Sequence, residues 1–442
     1  MAPLALRPTA RRLLFAGGFW LAAVGPASAQ PATLPPPKVA PFPAPTAVPG
    51  QVVIQPNAVT RYTLGDALTI ARLHHPQLAA FRASMNAALL KQRGLGEVKR
   101  MAGFLTPDIE YREQQSDLGL RASMAEYAQA QHEVEYAVVR CYYTVVYARA
   151  QNRVARDLVD QLDSNLKQVR RIIESKEGAR GFTKNTENRL EVFLGQAKLR
   201  LNKATVGTDR ARALLREALG LEPGSRVDAA DEFLPEISAK LDRDTVIAHA
   251  VTRRGEVTLA TIGADVTRLE ACAQWAKRCN LTSDTFARGA DIHARPIPAA
   301  ERDPDYRPGA IGPDMPTQLV GNRDTRKATA EVYATRAEAA AIQARSLVGL
   351  EAENAYFRYV EASRNAADSR DAARAAKELI AREREAAGGI QNREDMLQNE
   401  VSASLALASL NEALYDQIVA LANLERTTAG AVRVNFPGRE GR

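Results

Sequence analysis

The sequence predicts a mainly α fold: long antiparallel α-helical coiled-coil hairpins, internally duplicated, with short, reduced β inserts. Three observations carry this. The string RCYYTVVYARAQNRVARDLVDQL, followed by a turn at Gly181 and a second long helix, recurs as NAYFRYVEASRNAADSRDAARAA, followed by Gly388, Gly389 and another long helix. Cys141, Tyr142, Tyr143, Val146 and Ala148 match Ala355, Tyr356, Phe357, Val360 and Ala362 at one constant offset, the mark of a repeated structural unit. An apolar seam in steps of four and three then runs through each long segment.

The N-terminus reads as a secretory signal peptide, residues 1–29: Arg7, Arg11 and Arg12, an apolar run from Leu13 to Val24, then Ala27-Ser28-Ala29. The run is shorter than the roughly 20 residues of a membrane helix, and the residue directly after the cleavage site is Gln30, not a cysteine that could carry a lipid anchor. Removing the three arginines lowers the formal charge from +7 to +4. The remaining charges alternate in sign along the helices, a solvated surface and no nucleic-acid footprint. Residues 30–60 form a linker with eight prolines between 31 and 49, a composition for extended chain.

The first repeat spans 61–220. Thr63 is placed to cap a helix ending at His74-His75 before Pro76, and a second helix runs from Pro76 to about Met101. An insert at about 104–115 includes the stretch from Phe104 to Arg112, where partial alternation around Pro107 supports one short strand. The long helix that follows keeps Val134, Val138, Cys141, Val145, Ala148, Asn152, Ala155, Val159, Leu162, Leu166, Val169 and Ile173 on one face. Its hairpin tip lies at about 178–187. The return helix does the same with Leu190, Leu194, Ala197, Leu201, Ala204, Thr208, Ala211, Leu215 and Ala218. A hairpin this long must cover its apolar positions with neighbours from the same or other chains.

A linker at 221–243 leads to the second repeat, 244–430. It comprises a helix from about Asp244 to Arg254, another from Glu256 to about Lys277, an insert at about 280–323, and a long helix from near Lys327. The insert's six prolines argue for an extended, irregular segment over paired strands. The hairpin tip is placed at about 385–395. The outgoing helix has a small-residue face with Ala352, Ala355, Tyr359, Ala362, Ala366, Ala373, Ala376 and Ile380. The returning helix offers Ala403, Leu407, Leu410, Leu414, Gln417, Leu421 and Leu424, and residues 431–442 form a tail.

Candidate chemistry is sparse. Adjacent His74 and His75 point about 100° apart on a helix and read as a helix end. His132-Glu133 lacks the second histidine of a zinc-protease helix and reads as a solvated face. No phosphate loop, dinucleotide fingerprint or serine elbow occurs, so no enzyme activity, cofactor or metal is expected. Cys272 and Cys279 would lie about 10 Å apart on a continuous helix, beyond disulfide reach, and could pair only if the helix ends between them. With Cys141 they read as small buried residues. The tyrosines and phenylalanine at 142, 143, 147, 356, 357 and 359 read as packing between hairpins.

The two tips share a detail. Gly181-Phe182 is followed by Glu187, and Gly388-Gly389-Ile390 by Asp395, an acid six residues after the last glycine of each turn. With the opening YTLGDALTIARLHHPQLAAFRA, this pattern resembles the TolC-like outer-membrane factor family over roughly residues 61–430. The resemblance implies a homotrimer whose hairpins form an α-barrel tunnel across the periplasm and whose inserts build an outer-membrane barrel. It implies passive export, as the outer-membrane channel component of a tripartite efflux or type I secretion system. A periplasmic adaptor would then touch the tips, namely Gly181, Phe182, Glu187, Gly388, Gly389, Ile390 and Asp395, and an inner-membrane transporter would energise the system. The inserts depart from the family pattern, because a membrane strand needs about 9–11 alternating residues. A soluble periplasmic coiled-coil scaffold or adaptor that has lost the barrel is the other reading.

Overall fold

The computed structural model describes residues 59–102, 106–175, 183–277, 281–285, 315–386 and 393–439; the side chains of 102, 175, 383–386 and 393–397 lie outside that description. The chain from Ile54 to Arg442 forms one unit. Its duplication is plain in the element lengths. Helices α1 (Leu64–His74) and α5 (Arg243–Arg253) have 11 residues each, and α2 (Pro76–Ala102) corresponds to α6 (Gly255–Ala276). The long helices α3 (Ile109–Ser175) and α7 (Arg323–Ala386) have 67 and 64 residues, and the return helices α4 (Lys184–Ala218) and α8 (Arg393–Thr427) have 35 each. At 1.5 Å per residue α3 is about 100 Å long.

Both short helices start and stop by the same devices. Thr63 accepts from the Asp66 N–H while Asp66 accepts back from Thr63, a reciprocal cap, and Asp242 accepts from the Thr245 N–H. Each ends on a residue in extended conformation, His75 and Arg254, whose N–H still closes the last turn onto Ala71 and Ala250. The next helix opens directly at Pro76 or Gly255, so the chain bends without a loop.

The helices pack as one layer. Toward the tips the order is α4, α3, α8, α7; toward the inserts it is α2, α3, α6, α7, with α1 on α3 and α5 on α7. Polar bridges and a ring pair join the hairpins, among them the Thr144 and Tyr415 hydroxyls at 2.9 Å, Gln151 donating to the Ala408 carbonyl at 2.8 Å, Asn165 donating to Glu400 at 3.1 Å, and Tyr147 stacked on Tyr415 at 4.9 Å. The main core gathers Leu64, Leu68, Leu78, Val138, Tyr142, Tyr143, Val145 and Leu215 with Leu421, Leu424 and Phe436. A second core zips the first hairpin through Leu158, Leu162, Leu166 and Val169 against Leu190, Leu194 and Ala197. Asn152, the polar entry in the seam, donates to Thr205 on α4 at 3.0 Å.

Several expectations are corrected. Residues 109–112 are the first turn of α3 and not a strand, since Asp108 heads the helix, with its carbonyl accepting from the Arg112 N–H and its carboxylate from the Arg112 side chain. The second insert is paired at its base: β3 (Thr282–Asp284) runs antiparallel to β4 (Gln318–Val320), with Leu319 buried against Ala271 and Ala330. A further strand pair without a sequence signature, β1 (Thr60–Tyr62) parallel to β2 (Val227–Ala229), ties the start of the first repeat to the segment after α4. Residues 431–439 dock on the core, where Val434 and Phe436 are buried and Gly438 accepts from the Gly65 N–H. Of the seam positions Leu407 is exposed, as is Phe357. Cys272 is exposed and Cys141 half-buried, where burial pushes its thiol up to about 11; Cys279 lies outside the described residues.

Candidate functional site

The tips are reached through the first hairpin's zipper. Gly181 and Phe182, with Lys176, Glu177 and Arg180, lie outside the described residues, as do Gly388, Gly389 and Ile390; Asp395 stands in the first turn of α8 with its side chain outside the description. Glu187 is described. Thr183 caps α4, and Glu187 in that first turn turns back into the hairpin, accepting from Lys184 at 2.6 Å and from Arg170 of α3 at 3.0 Å. Arg170 also pairs with Glu191. The hydrogen bonds from Lys184 and Arg170 hold the Glu187 carboxyl below the usual carboxylate range. Its role in the structure is to clamp α3 to α4 just behind the turn.

Two buried charge clusters, which the periodicity did not reveal, fasten the layer. In the first, at the insert end, Arg112 donates to Asp108 at 3.0 Å and to Glu270 at 2.5 Å, while Gln115 donates to Glu270 and to the Val266 carbonyl. Arg326 of α7 donates to Gln274 and to the carbonyls of Gly321 and Lys277. Burial opposes the Glu270 charge, but the Arg112 hydrogen bond and charge outweigh it and keep the carboxyl ionised. These contacts fix the start of α3, the end of α6 and the start of α7 around the base of the β3–β4 ladder.

The second cluster joins α3, α6, α7 and α8. Glu351 of α7 faces Arg254 at 3.0 Å and Arg426 of α8 at 2.6 Å, Arg426 reaches Glu133 of α3 at 2.9 Å, and Arg254 pairs with Glu256 at 2.5 Å. Glu133 is thus part of an internal network, not the solvated face its sequence suggested. Gly255 allows α6 to meet α3: a Cβ there would stand 2.9 Å from the Ala125 carbonyl oxygen.

The linker is strapped to the shafts by their aromatic and basic residues. The Tyr142 hydroxyl accepts from the Asp231 N–H, Arg149 donates to the Asp231 carbonyl, and Arg153 donates to the Glu232 carbonyl with its guanidinium 4.6 Å from the Phe233 ring. Arg149 and Arg212 both pair with Asp228. Among the described residues no group of three or more His, Cys, Asp or Glu could hold a metal ion, and no helix is long and apolar enough to cross a membrane.

This architecture, two repeats of short helix, helix, insert and long hairpin laid in a single layer, is the fold of the TolC-like outer-membrane channel proteins. Among solved structures the chain is similar to the outer-membrane channel OprN, with a TM-score of 0.63 and 15% identity over 84% of this chain and 90% of that one. It is similar to the MtrE outer-membrane channel of Neisseria gonorrhoeae in its open state, with a TM-score of 0.59 and 15% identity over 84% and 89%. It is also similar to the outer-membrane protein VceC of Vibrio cholerae, with a TM-score of 0.61 and 13% identity over 84% and 96%. No protein-family model and no curated protein matches the sequence.

Proposed function

We propose that the chain is the outer-membrane channel component of a tripartite efflux or type I secretion system, a passive conduit with no catalytic step. The observation that carries this is the single helical layer with open edges. A layer buries its seams only between its own helices, and α4, at one edge, keeps Val192, Leu199 and Val206 exposed at seven-residue spacing. Such a stripe is the pattern by which a helix meets another helix. Three copies joined edge to edge close the layer into a tube, the homotrimer of this reading. The likeness over about nine-tenths of each solved channel supports it.

In this reading the helical part lies in the periplasm, the insert end faces the outer membrane, and the tips at Gly181, Phe182, Gly388, Gly389 and Ile390 meet a periplasmic adaptor and its inner-membrane transporter. Glu187 and Asp395 stand at the starts of the return helices, so their acids set the helix ends behind the docking turn. Envelope fractionation with carbonate washing, followed by crosslinking, tests the reading. The chain should stay with the outer membrane and crosslink to a trimer. Release as a monomer would overturn the reading in favour of a soluble periplasmic scaffold.

A further inference from the structure

We infer that the surface around the base of the second insert, centred on Trp275 with Leu281 and Val320, is a lipid-seating collar that enters the interfacial layer of the bilayer. The inference rests on the membrane-channel reading and deepens it by naming the chain's own lipid contact. It starts from chain length. Between α2 and α3 only residues 103–108 remain, fewer than the roughly 9–11 residues of one membrane-spanning strand. Residues 285–317, between β3 and β4, are the longer insert and have length for a membrane-spanning strand pair. In the channel reading that insert enters the membrane, so the described surface at its base stands at the bilayer boundary.

That surface has the composition of an interface. Trp275 at the end of α6 is 42% exposed although the guanidinium of Arg323 lies 3.9 Å and the ammonium of Lys327 5.2 Å from its ring centre. Beside it Leu281 is 76% exposed and Val320 69% exposed, joined by the bond from the Gly321 N–H to the Leu281 carbonyl. Leu319 between them faces inward, so the outward placement of Val320 is set by strand alternation. Met101, at the end of α2 just before the short link, is 83% exposed. An exposed tryptophan with exposed aliphatic residues at the same insert base and two long cationic side chains over its ring matches the headgroup boundary, where the indole is half solvated and Arg and Lys reach phosphate. Gln274, the residue before Trp275, is held by Glu270 and Arg326 of the buried cluster.

From Gln30 onward Trp275 is the only tryptophan in the chain, so its fluorescence reports this surface alone. The exported chain is reconstituted into vesicles of phosphatidylethanolamine with a minority of phosphatidylglycerol, brominated either near the headgroup end or near the terminal end of the acyl chains. Emission should be quenched more strongly by the shallow label than by the deep one. The double variant Leu281→Glu, Val320→Glu should lose that quenching while the protein still floats with the vesicles. A vesicle-bound wild-type chain whose tryptophan neither label quenches would overturn the collar, with the surface covered by another copy, and would leave the channel reading standing. Stronger deep than shallow quenching would also overturn it, since the residue would then lie in the hydrocarbon. A chain that does not bind the vesicles would overturn both.

Discussion

Arg426 of α8 donates to Glu351 of α7 at 2.6 Å, and both side chains are almost wholly buried. Burial opposes the Arg426 charge, while Glu351 and Glu133 favour it and leave its pKa raised. Glu351 also faces the fully buried Arg254, so one carboxylate bridges two guanidinium groups inside the layer. Glu351→Leu leaves Arg254 with Glu256 and Arg426 with Glu133, so the cost is about 3 kcal/mol, the low end for breaking a buried ion pair. Denaturant unfolding should show a loss of that size, while Glu338→Leu, a change at an exposed pair with Arg268, should cost no more than about 1 kcal/mol.

Tyr359 should prove to be the fastener of the linker. Its hydroxyl donates to the Ala239 carbonyl at 2.6 Å and accepts from the Ala239 N–H at 2.8 Å. Tyr359→Phe removes both bonds to the half-buried Ala239, each worth about 0.5–1.5 kcal/mol. Hydrogen exchange should rise at residue 239 and stay unchanged in α4.

At the end of α4, Gly220 has φ +69°, and a Cβ there would meet the His75 Cα at 2.8 Å and the Pro76 Cδ at 3.0 Å. Gly220→Ala therefore adds a backbone clash to the cost of left-handed geometry, about 1–2 kcal/mol on its own. Thermal unfolding should show a loss above that figure, because the glycine presses the end of the first hairpin against the bend between α1 and α2.

Acid should open the first hairpin behind its tip. The pKa of Glu187 is depressed, by the Lys184 hydrogen bond first and Arg170 second. Its stabilisation is therefore full above its unfolded value of about 4.3 and is lost as pH falls through the lower folded value. Amide protection at residues 186–190 should fall below about pH 4 in the wild type. In Glu187→Gln it should already be reduced at pH 7.

How much of this was legible in the sequence follows from which forces leave a periodic trace. The seams at Leu162, Leu166 and Leu190, Leu194 were readable because burial on a helix face repeats every three or four residues, and the bends at His75-Pro76 and Arg254 because caps and proline have local signatures. The strand pair β1–β2, three residues each and separated by the whole first hairpin, leaves no local trace. The helical start at Ile109 was read as extended because Pro107 masks an N-terminus that Asp108 and Arg112 then stabilise through Glu270, 158 residues away. Glu187 was singled out as a candidate docking residue at the tip. That its carboxylate points into the hairpin depends on Arg170 across the turn, and no sequence pattern fixes that.

Edge association should depend on the α4 stripe. Leu199→Glu combined with Val206→Glu places two charges on a surface that three copies would bury. Sedimentation in detergent should show the shift from trimer to monomer, with helicity by circular dichroism unchanged because both side chains are exposed within one chain.

The central claim, that three copies of this layer enclose a passive conduit through the outer membrane, is tested most directly by single-channel recording of the detergent-extracted wild-type protein in planar lipid bilayers. The account predicts discrete, long-lived conductance steps from the trimeric fraction and none from the Leu199→Glu, Val206→Glu monomer. A trimer that inserts into the bilayer but passes no current under any applied potential or pH would contradict it.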